Sequence, residues 1–371
     1  MTDAGERAYA YTRACGIIGK SFVGRRISPL AGLRSLSEFD RMVFPEVNRE
    51  LPGRELLLDI EGRIIRRTVW QILAVIDAYE KPPELLIRQL RSYEYADLKT
   101  CLNHLAGGIK TPPAFSDIGR FKTLRSDAYP GLEAMLSGTE FEFILSTDTL
   151  DIKKLKAGGC DTTAVEAELD LRYYTLLLRS LRRLPAADRV FAGRILAEEI
   201  SLRNCVWALR LRTYFKKTAE ETAPRLMDIK TRYGRAAIPG SIHTRASMTH
   251  NSGAGGEISL AAEAFESLNL PLDSRAAWQG WRWERFLNPQ KEGELWTASP
   301  RFFQNAASEY LYRLSYQCFR RVPFSTSASF CYIKLKQFEE DLLTSVVEGL
   351  GLGMSGNDVI DLLGAASGEV R

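Results

Sequence analysis

The chain has 371 residues, 45% of them apolar and 26% charged, the balance of an ordinary globular protein able to bury sizeable cores. Its 50 Lys and Arg against 46 Asp and Glu leave a net charge of only +4, too small and too dispersed to make nucleic acid or an anionic membrane the main partner. The length predicts two or three compact units, and no apolar run approaches the roughly 18 residues that a membrane-spanning helix needs.

In chain order, residues 8–24 read as a first helix with embedded glycines, broken at Ser28-Pro29. Leu30–Phe44 continues as one or two short helices. From Arg54 to Tyr79 the spacing of Leu57, Ile60, Ile64, Val69, Ile72, Leu73 and Ile76 is helical. After Lys81-Pro82-Pro83 comes the best-defined amphipathic helix, Arg91–Gly107. Tyr95, Leu98, Leu102 and Leu105 make its apolar stripe, Glu94, Asp97 and Lys99 lie off the stripe, and Gly107-Gly108 stops it. Thr111-Pro112-Pro113 opens a second unit, with helical runs at about 131–145, Thr162–Leu184 and Ala186–Phe215. Residues 233–257 are rich in Gly, Ser and Thr and read as a loop or insertion. Helix returns at Ile258–Leu268, four tryptophans follow at 278, 281, 283 and 296, and helices are expected at Phe302–Arg321, Ser327–Gly349 and after Gly356. Period-2 alternation never persists, so the expected class is all-α.

Three helices share a pattern. Asp97-Leu98 with Leu102, Ser201-Leu202 with Val206, and Asp341-Leu342 with Val346 each follow one or two glutamates: Glu94, Glu198-Glu199 and Glu339-Glu340. Each comes a similar distance after a proline-ended helix, at Pro83, Pro185 and Pro323. The domain reading is therefore 1–110, 111–228 and 229–371, three related helical units, the last carrying the 233–257 insertion.

Several motifs suggest chemistry, and none assembles a site. Ala14-Cys-Gly-Ile-Ile-Gly-Lys-Ser21 imitates a phosphate-binding loop, but that chemistry needs a buried strand before it and a helix after it, and neither pattern is present. The three histidines, at 104, 243 and 250, form no triad or metal set, and the six cysteines are scattered singly, without Cys-x-x-Cys, as small apolar residues of a reducing compartment. Adjacent glutamates on a helix point about 100° apart, so Glu198-Glu199 and Glu339-Glu340 are poor acid–base pairs and better polar faces. The tryptophans with Arg282 and Arg285 fit either an interface anchor or a core. No catalytic residue, cofactor, metal or small-molecule substrate is implied.

The segments Tyr9-Ala-Tyr-Thr-Arg, Tyr93-Glu-Tyr-Ala-Asp-Leu-Lys-Thr, Asp170-Leu-Arg-Tyr-Tyr-Thr, Ala197-Glu-Glu-Ile-Ser-Leu-Arg-Asn and Phe338-Glu-Glu-Asp-Leu-Leu resemble, in order and spacing, the C subunit of the V/A-type ATPases, related to the d subunit of the eukaryotic vacuolar ATPase. Departures from that pattern are Ser201, where the other two copies carry Asp97 and Asp341, and the length of 233–257. The resemblance implies three similar helical domains around a pseudo-threefold axis, shaped as a funnel. It further implies a non-catalytic rotor subunit in the central stalk, peripheral to the membrane on the cytoplasmic side, between shaft subunits of the D/F type and the proteolipid ring that moves protons or sodium ions. In that role Glu94, Asp97, Lys99, Glu198, Glu199, Arg203, Glu339, Glu340 and Asp341 would face the partner. From the residues alone, the alternative is a free-standing helical scaffold that binds another helical partner.

Overall fold

A computed structural model describes residues 3–46, 51–157, 160–233, 257–290 and 293–363. The helices in chain order are α1 (Asp3–Ile18), α2 (Ser28–Ala31), α3 (Leu36–Val43), α4 (Gly53–Ile76), α5 (Glu84–Leu90), α6 (Ser92–Ala106), α7 (Leu132–Leu136), α8 (Ile152–Ala157), α9 (Thr163–Ser180), α10 (Ala186–Thr213), α11 (Ala219–Thr222), α12 (Ala262–Leu268), α13 (Pro300–Arg321), α14 (Thr326–Gly351) and α15 (Gly356–Leu363). The class is all-α. Among the described residues β structure is confined to β1 (Lys230–Thr231) and β2 (Ile258–Ser259), paired antiparallel with Lys230 opposite Ser259 and Thr231 opposite Ile258. The expected helix at 258–268 therefore starts later, at Ala262, because Ile258 and Ser259 pair with β1. Apart from Tyr233 and Glu257, the Gly/Ser-rich stretch lies outside the described residues.

The ends of the long helices follow local chemistry. Pro52, Pro83 and Pro185 sit immediately before α4, α5 and α10 in extended backbone, where a ring that fixes φ and lacks an N–H is tolerated. Ser325 starts α14 by accepting from the Ala328 N–H at 3.0 Å. α6 stops where Gly108 adopts φ +70°, letting the Ile109 N–H reach back to the His104 carbonyl at 2.8 Å.

The chain divides into two compact units. Unit 1 contains residues 1–169 and 315–371, and unit 2 contains Asp170–Leu314. In unit 1, α4 and α14 form an antiparallel pair. Leu57 lies against Gly351 at one end, Tyr332 Oη donates to the Gln71 carbonyl at 2.8 Å further along, and Tyr79 Oη bonds Ser329 Oγ at 2.7 Å at the other end. Leu30, Phe39, Ile60, Ile64, Val346, Val347 and Ile360 fill the core there. α15 packs so closely that a Cβ on Gly356 would lie 1.9 Å from the Leu30 carbonyl oxygen, so only glycine fits. The core of unit 2 joins Leu202, Cys205 and Leu209 of α10 to Trp278, Trp281, Trp283, Trp296 and Phe303. The tryptophans are thus core residues rather than an exposed anchor. Each buried side chain of this size contributes about 1.5–3 kcal/mol or more.

Candidate functional site

The best-defined polar features of the chain grow out of the same three helices. Along α6, Glu94, Asp97 and Cys101 form a second buried row beside the apolar stripe. Glu94 is 0% exposed. Its Oε1 accepts from the backbone N–H groups of Thr123 and Leu124, the latter at 2.7 Å, and Thr123 Oγ1 donates to Oε2 at 3.1 Å. Asp97 accepts from the Ser116 N–H at 2.8 Å and from Ser116 Oγ at 3.0 Å. The two carboxylates fasten the 116–124 segment, whose only regular piece is the 3-10 turn Gly119–Phe121, to the helix and accept from its N–H groups at 116, 123 and 124. The partner-facing role expected of Glu94 and Asp97 is therefore corrected, because their oxygens are turned inward and taken by the chain itself. Lys99, on the next turn, is half-buried.

Burial pushes both carboxyls up, with the donors from 123–124 and Ser116 pulling the other way, and Asp97 reaches about 6 from 3.8. A folded-state value above the unfolded one means stability that is full below pH 3.8 and declines until pH passes about 6. Over that window the loss is about 3 kcal/mol at most. Asp97→Asn keeps an acceptor for the Ser116 N–H and a donor for its hydroxyl. The variant is expected to show a flatter profile of urea-unfolding free energy between pH 4 and 6 than the wild type, while equal slopes would contradict this account.

α10 carries the same arrangement at the same spacing. Glu198, Ser201 and Cys205 are buried where α6 has Glu94, Asp97 and Cys101. Arg282 Nη2 donates to both Glu198 oxygens at 2.8 and 2.7 Å, and its Nη1 donates to Glu263 Oε1 at 2.9 Å. Ser201 Oγ donates to Glu263 Oε2 at 3.3 Å, and the Arg282 guanidinium lies 4.3 Å from the centre of the Trp283 ring. One turn on, Asn204 Nδ2 donates to the Met227 and Leu260 carbonyls and its Oδ1 accepts from the Met227 N–H. Glu198, Ser201, Glu263 and Arg282, with the 258–260 backbone, border a cavity of about 170 Å³. Burial raises the Glu198 carboxyl while Arg282 and Arg194 hold it down. Glu199, half-buried, accepts from Tyr174 Oη at 2.9 Å, and Arg203, exposed, lies 5.6 Å from the centre of the Tyr174 ring.

On α14, Glu339 is 1% exposed, accepts from the Phe22 N–H at 2.8 Å and is ion-paired with the equally buried Lys336, whose Nζ also donates to Ser21 Oγ at 3.3 Å. Ser21 ends the phosphate-loop look-alike, but the residues before it up to Ile18 belong to α1, so no strand–loop–helix exists. Glu340 accepts from Tyr93 Oη at 2.6 Å, and its carboxyl is pushed up to about 7 by burial, with Asp341 adding to the effect. Asp341 is exposed.

Of the nine residues singled out in the sequence, Glu94, Asp97, Glu198 and Glu339 are buried and held internally. Arg203 and Asp341 are exposed, and Lys99, Glu199 and Glu340 are intermediate. Arg282, the residue that completes the α10 cluster, was not singled out as its partner, and nothing in local spacing joins it to Glu198. The Cys101/Cys205 match was the available signal that α6 and α10 bury equivalent rows. Among the described residues no cluster of three or more His, Cys, Asp or Glu is placed to hold a metal ion, and no helix is long and apolar enough to cross a membrane.

Comparison with known proteins finds similarity to one family and to one relative over most of the chain. The sequence profile of the ATP synthase (C/AC39) subunit family matches residues 57–237, from α4 past β1. An uncharacterized protein of Treponema pallidum (strain Nichols) is 25% identical over 362 residues, covering 97% of this chain and 96% of that one.

Proposed function

Because residues 57–237 match the ATP synthase (C/AC39) subunit family, we propose that the protein is a non-catalytic central-stalk subunit of a V/A-type ATPase. In this reading it couples the rotating shaft, of D/F-type subunits, to the membrane proteolipid ring during proton or sodium ion transport. The family match carries the proposal. The reading includes three related helical domains, 1–110, 111–228 and 229–371, in a pseudo-threefold funnel attached to the membrane through its partners. The equivalent buried rows of α6 and α10 support common descent for the first two domains.

The role is mechanical, and the chain's interior suits it. A torque-bearing part must resist shear, and buried carboxylates that fasten irregular segments to long helices resist sliding better than apolar contacts, because hydrogen bonds are directional. Partner contact falls to the exposed and half-buried members of the recurring pattern: Lys99, Glu199, Arg203, Glu340 and Asp341.

The test is affinity purification of the tagged chain from its native cells, with the recovered proteins identified by mass spectrometry. Shaft and proteolipid subunits are expected to co-purify stoichiometrically. A preparation holding neither, under detergent conditions that keep the ATPase intact, would refute the proposal.

A further inference from the structure

Where α14 meets the end of α5 and the start of α6, a row of side-chain hydrogen bonds joins the helices. Gln89 Nε2 donates to Gln337 Oε1 at 2.7 Å, Gln337 Nε2 donates to Ser92 Oγ at 3.0 Å, and Tyr93 Oη donates to Glu340 Oε2 at 2.6 Å. Gln337 and Glu340 share a face of α14 by their i, i+3 spacing. Of the side chains in this row, only Glu340 changes charge between pH 4 and about 8.

Its surroundings favour the neutral form. On α14 itself, Lys336 is committed to Glu339 and to Ser21 Oγ, and Asp341 adds a like charge. α6 contributes the Tyr93 hydroxyl and α5 the neutral Gln89, through Gln337. From α4 come the neutral Thr68 and Arg67, which acts on Lys336. Arg13 of α1 acts on Tyr332, two turns earlier on α14, while α3 and α15 meet α14 beyond Glu340 with apolar side chains. Among the described residues Glu340 belongs to no ion pair. A half-buried carboxylate held by hydroxyls beside a like charge keeps its proton to a higher pH than one in water, and burial pushes this one up to about 7.

We propose that the Tyr93–Glu340 contact is a pH-sensitive latch between α6 and α14, closed while Glu340 carries its proton and loosened when the carboxyl ionises. The proposal stands on unit 1 alone and does not depend on the rotor reading. Opening admits water to the carboxyl, which then ionises near its ordinary 4.5, against about 7 in the closed form. The closed-form value is the raised one, so closure is fullest below pH 4.5 and declines until pH passes about 7. The open population therefore grows about fortyfold between pH 5 and pH 7, and only about twofold beyond. α6 also holds the 116–124 segment through Glu94 and Asp97, so loosening the start of the helix alters the footing of that segment.

The test is hydrogen exchange by mass spectrometry on the full chain between pH 5 and 8, corrected for the intrinsic pH dependence of amide exchange, with folding followed by circular dichroism. In the wild type, amides at 92–96 are expected to open about fortyfold more often at pH 7 than at pH 5, relative to those of α4. Glu340→Gln keeps an acceptor for Tyr93 Oη and cannot ionise, so the same amides should lose that dependence. Tyr93→Phe removes a donor that favours the charged carboxylate, so the pH at which protection falls should move upward. A loss of packing alone would lower protection at every pH without moving that midpoint. A wild type without the dependence, or a Glu340→Gln variant that retains it, overturns the proposal. Should Glu340→Gln fail to fold, Tyr93→Phe decides: an upward midpoint supports the latch, and one equal to the wild-type midpoint overturns it.

Discussion

Glu94→Ala is expected to destabilise unit 1 by about 2–5 kcal/mol, the larger part arising in a segment that the shortened side chain itself would not touch. The carboxylate is 0% exposed and accepts from two successive backbone N–H groups, at Thr123 and Leu124, and from the Thr123 hydroxyl. Truncation leaves these donors without an acceptor in a place that Leu124, 3% exposed, keeps dry. Each buried donor left unmade costs about 1–3 kcal/mol, and some of that returns if the loop opens to water. The relief has a visible consequence, since the 116–124 amides should exchange with solvent much faster while those of α4 and α14 keep their protection. Glu94→Gln can keep its oxygen on the two backbone N–H groups and turn its amide donor to the Thr123 hydroxyl, which can accept, so a smaller loss than that of Glu94→Ala is expected. Urea unfolding by far-ultraviolet dichroism and hydrogen exchange by mass spectrometry measure both quantities. A loss below about 1 kcal/mol with unchanged exchange at 116–124 would show that the carboxylate is dispensable to the segment.

The pair formed by Lys336 and Glu339 obeys the same logic with a different donor. Lys336 alone would be a buried cation, and burial does lower its ammonium, but Glu339 and the Ser21 hydroxyl hold it, and Glu339 in turn fixes the Phe22 N–H. In α6, α10 and α14 alike, a buried acid of the helix secures an irregular stretch that is distant in sequence.

That shared device explains what could and could not be read from the sequence. The long helices were legible because their apolar spacing and their prolines act locally: α4, α10 and α14 begin within one or two residues of Pro52, Pro185 and the Ser325 cap. The inward turn of Glu94, Asp97 and Glu198 was not legible, because a carboxylate off an apolar stripe looks the same whether it meets water or a distant backbone N–H. Its partners come from 116–124 or from Arg282, segments with no periodicity of their own. Glu339 was hidden further, since Ser21 and Phe22 lie at the opposite end of the chain. The two-residue strand pair was beyond reach for a simpler reason, that two residues carry no alternation.

Arg282 is the residue of unit 2 whose loss should be felt most. It is the cation between Glu198 and Glu263, both 5% exposed, and its guanidinium also covers the Trp283 ring. Arg282→Ala strands two like charges beside each other, and removing one partner of a buried ionic group costs about 3–5 kcal/mol. The deficit should depend on pH with a definite sign. Burial already raises the Glu198 carboxyl and Arg282 restrains it, so without the arginine the folded-state value rises further above that of the unfolded chain. The variant then gains stability relative to wild type as pH falls toward the ordinary glutamate range, and its deficit is greatest at neutral pH and above. Five of the six tryptophans lie in unit 2, at 207, 278, 281, 283 and 296, so their emission reports the transition directly. Charge rather than volume is isolated by Arg282→Met with Glu198→Gln and Glu263→Gln, which replaces the ionic group by a neutral one of similar size and should recover most of the loss. If the triple variant is as unstable as Arg282→Ala, the damage lies in lost packing against Trp283 and the electrostatic account of this cluster is wrong.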